Sequence, residues 1–264
     1  MELEAQRIDI GPTTLAVYDS GGHAEEAIVF LHGNLSRWQH WAPQLAALGG
    51  EVRCIAFDQR GFGASDPEPR PSSAVALAGD VAALCDKLGV RRAHIVGLSL
   101  GGVIGQAVAV LHEGLTASLV AAGTYRVDAP HPIVAAFNAH YAGAVPELAT
   151  LQPMVEAMTF SEEFRTSDPE TTQRVVSEML STDQATFEAT PGILDDGPLV
   201  AAPKISAPTL VIGAAHDETA PPEVTRRLAA SIPGARYELL DTGHMSNIEA
   251  PDRFTELVRT HLRA

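Results

Sequence analysis

The chain has 264 residues, of which 45% are hydrophobic and 19% charged, and its net charge is −15. That composition supports a sizeable core and excludes an intrinsically disordered chain. The negative balance, with no Lys/Arg block to offset it, argues against nucleic acid or an anionic membrane as a partner. No apolar run reaches membrane-spanning length, and the charged start from Met1 to Arg7 has no apolar stretch behind it, so a cytoplasmic location is expected. Cys54 and Cys85 fall in apolar settings and are expected as free buried thiols. No Cys/His cluster has metal-ligand spacing; neither a metal nor a cofactor is expected.

Segments 3–10 and 14–18, parted by Gly11-Pro12, predict a β-hairpin at a sheet edge. Ala27 to Leu31 is a continuous apolar strand that ends in His32-Gly33-Asn34-Leu35. A short helix carries Trp38, His40 and Trp41; Trp41 reads as packing, Trp38 as a candidate wall of a substrate site. The strand over 52–58 leads into the glycine-punctuated loop 59–66, where Asp58 and Arg60 are expected to satisfy loop backbone. Apolar spacing predicts a helix over 73–88, with a serine cap before it and Gly89 after it. A strand at 93–96, a buried helix at 103–110 and a strand at 118–122 complete this half. Such alternation implies a mostly parallel sheet with right-handed crossovers, which binds ligands at the carboxyl ends of its strands.

From 124 to 202 the rhythm changes. Segments 133–141, 147–158, 169–180 and 183–189 read as helices and no strand is evident, which predicts a helical cap inserted into a core made of 1–123 and 203–264. Phe137, Met158 and Phe160 are its candidate substrate-facing residues. The alternation resumes with a strand at 207–213, a helix from Pro222, a strand at 236–240 and a final helix over 251–262.

Gly97-Leu98-Ser99-Leu100-Gly101-Gly102 joins a buried strand to a buried helix. Glycines two positions either side of the serine allow a strained turn that lifts its hydroxyl above the sheet edge, with the Leu100 amide at a helix N-terminus. The Asn34 amide, beyond His32-Gly33, is a candidate second donor to the same oxyanion. A serine hydroxyl needs an imidazole to take its proton and an anion to orient that imidazole. Asp217 and His244 stand in loops after two later strands, in the order Ser, Asp, His. Glu218 and Asp128 are alternative anions, and His216 is a less favoured base.

On these residues, with the loop Asp58-Gln59-Arg60-Gly61-Phe62-Gly63-Ala64-Ser65, the chain resembles α/β-hydrolase fold serine hydrolases from about Ala27 onward. The resemblance implies a mostly parallel eight-stranded sheet flanked by helices, an inserted helical cap and a Ser99–His244–Asp217 triad acting on an ester or lactone. Thr159-Phe160-Ser161, the Asp217 to Pro222 loop and His244 to Pro251 are similar to 3-oxoadipate enol-lactonases, whereas Asn34 to Arg37 and Ala189 to Leu194 depart from that narrower pattern. Serine at 99 disfavours the epoxide hydrolase and haloalkane dehalogenase branches, which use aspartate. Three readings stay open beside ester or lactone hydrolysis: C–C bond hydrolysis of a ring-cleavage product, peroxyacid formation, and a small-molecule receptor that retains the triad. The expected partner is a small-molecule substrate, and the expected assembly a monomer or homodimer.

Overall fold

The computed structural model describes residues 3–22, 24–70, 73–126, 145–193 and 201–263. Eight strands form one sheet: β1 (Gln6–Asp9), β2 (Thr14–Asp19), β3 (Glu26–Leu31), β4 (Cys54–Phe57), β5 (Arg92–Leu98), β6 (Thr116–Ala122), β7 (Thr209–Ala214) and β8 (Arg236–Leu240). Their order is β1-β2-β4-β3-β5-β6-β7-β8. The N-terminal hairpin is the antiparallel edge, and every pair from β4 to β8 is parallel.

The central strands are apolar throughout because both faces are covered. Ala27 to Leu31 are all 0% exposed. Their side chains alternate between two cores: Val29 and Leu31 pack toward α2 (Ala74–Lys87), α3 (Leu100–Leu111) and α8 (Pro222–Ser231), whereas Ile28 and Phe30 pack toward α1 (Ala42–Leu48) and α10 (Pro251–Leu262). Helix α2 starts where expected, with the Ser73 hydroxyl accepting from the Ala76 amide. Both cysteines are free and buried, and burial pushes each thiol up to about 12.

Between β6 and β7 the described residues contain helices and no strand. A 3-10 turn (Leu148–Leu151) is followed by α4 (Gln152–Thr159), α5 (Glu162–Ser167), α6 (Pro169–Leu180) and α7 (Gln184–Ile193). Local sequence sets their starts: the Ser161 hydroxyl caps α5 through the Phe164 amide, and Asp168 caps α6 through the Thr171 amide, ahead of Pro169. Helix α5 was not anticipated, since six residues are too few to show a helical period. The expected helix over 133–141 lies outside the described residues.

Several contacts tie this insertion to the core. The Arg37 guanidinium donates to the Glu178 carbonyl at 2.8 Å and to the Ser181 hydroxyl at 2.7 Å, and His40 Nε2 meets the Glu178 carboxylate at 2.8 Å. Farther along, the Thr186 hydroxyl donates to the Gly61 carbonyl at 2.9 Å. Helix α9 (Ser246–Glu249) begins just after His244 and completes the frame. No helix among the described residues is long and apolar enough to cross a membrane.

Candidate active site

Strand β5 ends in the turn that carries Ser99. A Cβ at Gly97 would collide with the Gly101 carbonyl, and one at Gly101 with the Leu31 carbonyl at the end of β3, so the three segments meet at backbone distance. Ser99 sits at φ +55° and ψ −118°, outside the favoured regions for an L-residue. Its surroundings over-determine that shape. The Ser99 amide donates to Ala122 at 2.9 Å, and its carbonyl accepts from the Gly102 and Val103 amides and, at 2.8 Å, from the Thr124 hydroxyl. Ser99 remains partly exposed.

Beyond β7, Asp217 is buried and both of its oxygens are used. Oδ1 accepts from the Thr219 and Ala220 amides, each at 2.8 Å, which shapes the loop, and Oδ2 meets His244 Nδ1 at 2.8 Å. A carboxylate only accepts, so Nδ1–H of His244 is the donor, and in the neutral imidazole Nε2 is the ring atom left with a lone pair. The alternatives fall elsewhere: Glu218 is exposed, and His216 pairs with Asp241 at the surface. Asp128 lies outside the described residues.

Gly123, at the end of β6, connects these parts. At φ +49° its backbone lies so close to the pair that a Cβ would be 3.3 Å from Asp217 Oδ2 and 3.3 Å from His244 Nδ1. The next residue, Thr124, holds the Ser99 carbonyl. Ser99 and the Asp217–His244 pair are therefore anchored to consecutive residues of one segment. Among the described residues, no hydrogen bond joins the Ser99 hydroxyl directly to His244.

The loop after β3 supplies the other wall. A Cβ at Gly33 would be 3.2 Å from Ser99 Cβ, so the residue just before Asn34 lies against the serine. Neither the Asn34 amide nor the Leu100 amide, at the first position of α3, has a hydrogen-bond partner among the described residues. Leu35, at φ +58°, turns the loop. The Asn34 side-chain oxygen accepts from the Leu35 amide at 3.0 Å and from the Thr190 hydroxyl of α7 at 3.1 Å.

Beneath this loop His32 is fully buried, with Nδ1 bonded to the Gly33 carbonyl at 2.8 Å and Nε2 accepting from the Gln59 amide at 3.0 Å. Burial pulls its pKa down to about 3, so it is a neutral brace. Asp58 accepts from the Trp38 and Ala64 amides as expected for a loop-satisfying carboxylate. Arg60 does not serve the loop backbone; it pairs with the Asp80 carboxylate of α2, since a buried guanidinium needs a buried anion.

The candidate substrate-facing residues divide. Trp38 is 3% exposed and stacks on Tyr18 with ring centres 5.5 Å apart, which leaves little of its surface for a ligand. Phe160 is 1% exposed and packs on Phe164, while its backbone abuts Gly243. Met158 is half-buried, and its carbonyl accepts from the Thr219 hydroxyl, beside Asp217. Phe137 lies outside the described residues.

A family model described as the alpha/beta hydrolase family matches residues 28–257. The chain belongs to that family. Among solved structures, the enol-lactonase from Burkholderia xenovorans LB400 superposes on this hydrolase with a TM-score of 0.89 at 30% identity, covering 98% of this chain and 100% of that one. The 3-oxoadipate enol-lactonase 1 of Acinetobacter baylyi is 27% identical over 249 residues, 92% of this chain and 91% of its own. BpoC of Mycobacterium tuberculosis, provisionally named a non-heme bromoperoxidase, is 31% identical over 247 residues, 89% of this chain and 92% of its own.

Two residues of the candidate site have no motif of their own in the sequence. Gly123 and Thr124 directly follow an apolar strand, and a glycine at that point is a signal of close backbone approach. Which groups approach it is settled by segments about 90 to 120 residues away. Among the described residues no three His, Cys, Asp or Glu side chains converge to hold a metal ion.

Proposed function

We propose that the hydrolase cleaves a small carboxylic ester or lactone through Ser99, His244 and Asp217. The observation that carries this reading is the Asp217–His244 pair, bonded at 2.8 Å and seated on Gly123, whose successor Thr124 grips the strained Ser99. The likeness to lactonases over most of the chain supports the substrate class.

In this mechanism Ser99 Oγ attacks the carbonyl carbon while His244 Nε2 takes the hydroxyl proton, and Asp217 stabilises the resulting imidazolium. The Asn34 and Leu100 amides, without partners among the described residues, donate to the oxyanion, aided by the N-terminal dipole of α3. Collapse breaks the bond to the alkoxy oxygen, which leaves with the proton from His244; in a lactone it stays tethered to the acyl group. Water, deprotonated by His244, then attacks the acyl-enzyme and releases the acid and free Ser99.

The test is labelling with a fluorophosphonate, mapping of the labelled peptide, and competition by a panel of esters and lactones. Label on the Ser99 peptide that esters or lactones suppress, with turnover reduced at least about a thousandfold in a folded Ser99→Ala variant, is the expected result. Turnover unchanged in that variant overturns the reading. Preferential turnover of a vinylogous diketone would replace ester hydrolysis with C–C bond cleavage at the same residues.

A further inference from the structure

His244 is bracketed by the helical insertion. On one side the Met245 amide donates to the Thr159 carbonyl at 3.0 Å. On the other, Gly243 lies so close to the insertion that a Cβ would collide with the Ser161 amide and sit 2.6 Å from the Phe160 carbonyl carbon. The Gly243 amide has no carbonyl partner among the described residues. It donates at 3.0 Å to the carboxylate of Glu249, the last residue of α9.

The same Glu249 carboxylate accepts from the Ser161 amide at 3.2 Å and from the Ser161 hydroxyl. One side chain thus joins the residue before the imidazole to the turn between α4 and α5. Among the described residues Glu249 has no cationic partner. Its charge is distributed over two backbone N–H groups and one hydroxyl, an arrangement that fixes geometry more strongly than neutral bonds would. Among the described residues the His244 ring makes one hydrogen bond, to Asp217, and packs on the Gly123 backbone, so the aim of Nε2 also depends on the backbone that carries the ring.

We infer that Glu249 is a positioning residue, through which the seating of the insertion sets the aim of His244 toward Ser99. This rests on the triad proposed above. Removing the carboxylate leaves substrate contacts in place and loosens the proton acceptor, so the loss belongs in kcat and not in KM. Glutamine can restore the link, with its oxygen toward the two amides and its amide group donating to the Ser161 hydroxyl.

The experiment compares Glu249→Ala, Glu249→Gln and Ser161→Ala with the parent enzyme. Ester kinetics, thermal unfolding and the downfield NMR resonance of the His244 Nδ1 proton are read on each. The expected result is a kcat loss of about tenfold or more in a folded Glu249→Ala, KM within about twofold, a resonance broadened by exchange, and recovery of both in Glu249→Gln. Ser161→Ala, which keeps the amide limb and loses the hydroxyl limb, should fall between.

A folded Glu249→Ala with the parent kcat and a sharp resonance overturns the inference, as does activity lost only in proportion to the unfolded fraction. If Glu249→Ala fails to fold, Ser161→Ala decides on the same two readouts. A parent protein that turns over no ester and leaves Ser99 unlabelled would refute the triad instead. The resonance would still report whether Glu249 steadies His244.

Discussion

The backbone of Gly123 lies against the imidazole of His244, close enough that a methyl group placed on it would stand 3.3 Å from Nδ1 and 3.4 Å from Cε1. The same methyl would press on Asp217 Oδ2. One glycine at φ +49° is therefore what lets β6 pass beneath the Asp–His pair.

Gly123→Ala should harm activity and stability together. A non-glycine residue in the left-handed region costs on the order of 1 kcal/mol or more, and the added methyl crowds the hydrogen bond that fixes the imidazole. Thermal unfolding and ester kinetics check this; a variant with parent-like kcat would show that the pair tolerates displacement.

Thr124→Val keeps the side-chain shape and removes the hydroxyl that donates to the Ser99 carbonyl. The lost hydrogen bond is worth about 1 kcal/mol, and the Ser99 turn loses one of its restraints. The expected outcome is a kcat reduced about tenfold with KM little changed, measured on the same ester.

Buried histidines make the fold acid-sensitive. His32 has its pKa lowered from 6.5 to about 3 by desolvation, so the native state resists taking a proton that the unfolded chain accepts. Its contribution is fully present above pH 6.5 and is lost as pH falls toward 3, at about 1.4 kcal/mol per pH unit. Burial of His40 and His261 acts in the same direction. Urea midpoints between pH 7 and 4 should fall steeply for the parent and less steeply for His32→Asn, which starts from lower stability; parallel curves would assign the acid sensitivity to other groups.

Glu178→Ala should loosen the insertion. The buried Nε2–H of His40 loses its acceptor, at a cost of about 1–3 kcal/mol, while Ser36 still donates to Nδ1. Limited proteolysis should then cut within 148–193 faster than in the parent, before the core is cleaved. Equal cutting rates would mean that the bonds of Arg37 and Thr186 suffice to hold it.

Much of this was legible in the sequence for a physical reason. A parallel strand covered on both faces must be continuously apolar, so 27–31, 93–96, 118–122 and 207–213 announced themselves, and Gly- and Pro-rich loops marked their ends. Ser99 and Asp217 stand in loops beyond such strands, His244 in the loop beyond the half-exposed β8, and the structure brings Asp217 and His244 into contact. The contacts around them were not visible: the Gly123 backbone lies against the Asp217–His244 pair, the Thr124 hydroxyl donates to the Ser99 carbonyl, and the Glu249 carboxylate accepts from Gly243 and Ser161, and no local period encodes those. Trp38 shows the opposite limit: an aromatic near a site reads alike whether it faces ligand or, as here, stacks on Tyr18.

The seam between β6 and β7 has a consequence for how the molecule assembles. Leu119 pairs with Thr209, about ninety residues later, and the whole insertion is the loop that this pairing closes. Closing a loop of that length costs on the order of 4 kcal/mol in chain entropy, more than any neighbouring crossover of the sheet. Gly123 stands on one side of the seam and Asp217 on the other, so the proposed triad can assemble only once these two neighbouring strands, about ninety residues apart in the chain, have paired. Recovery of Ser99 labelling on refolding should accordingly trail the return of secondary structure.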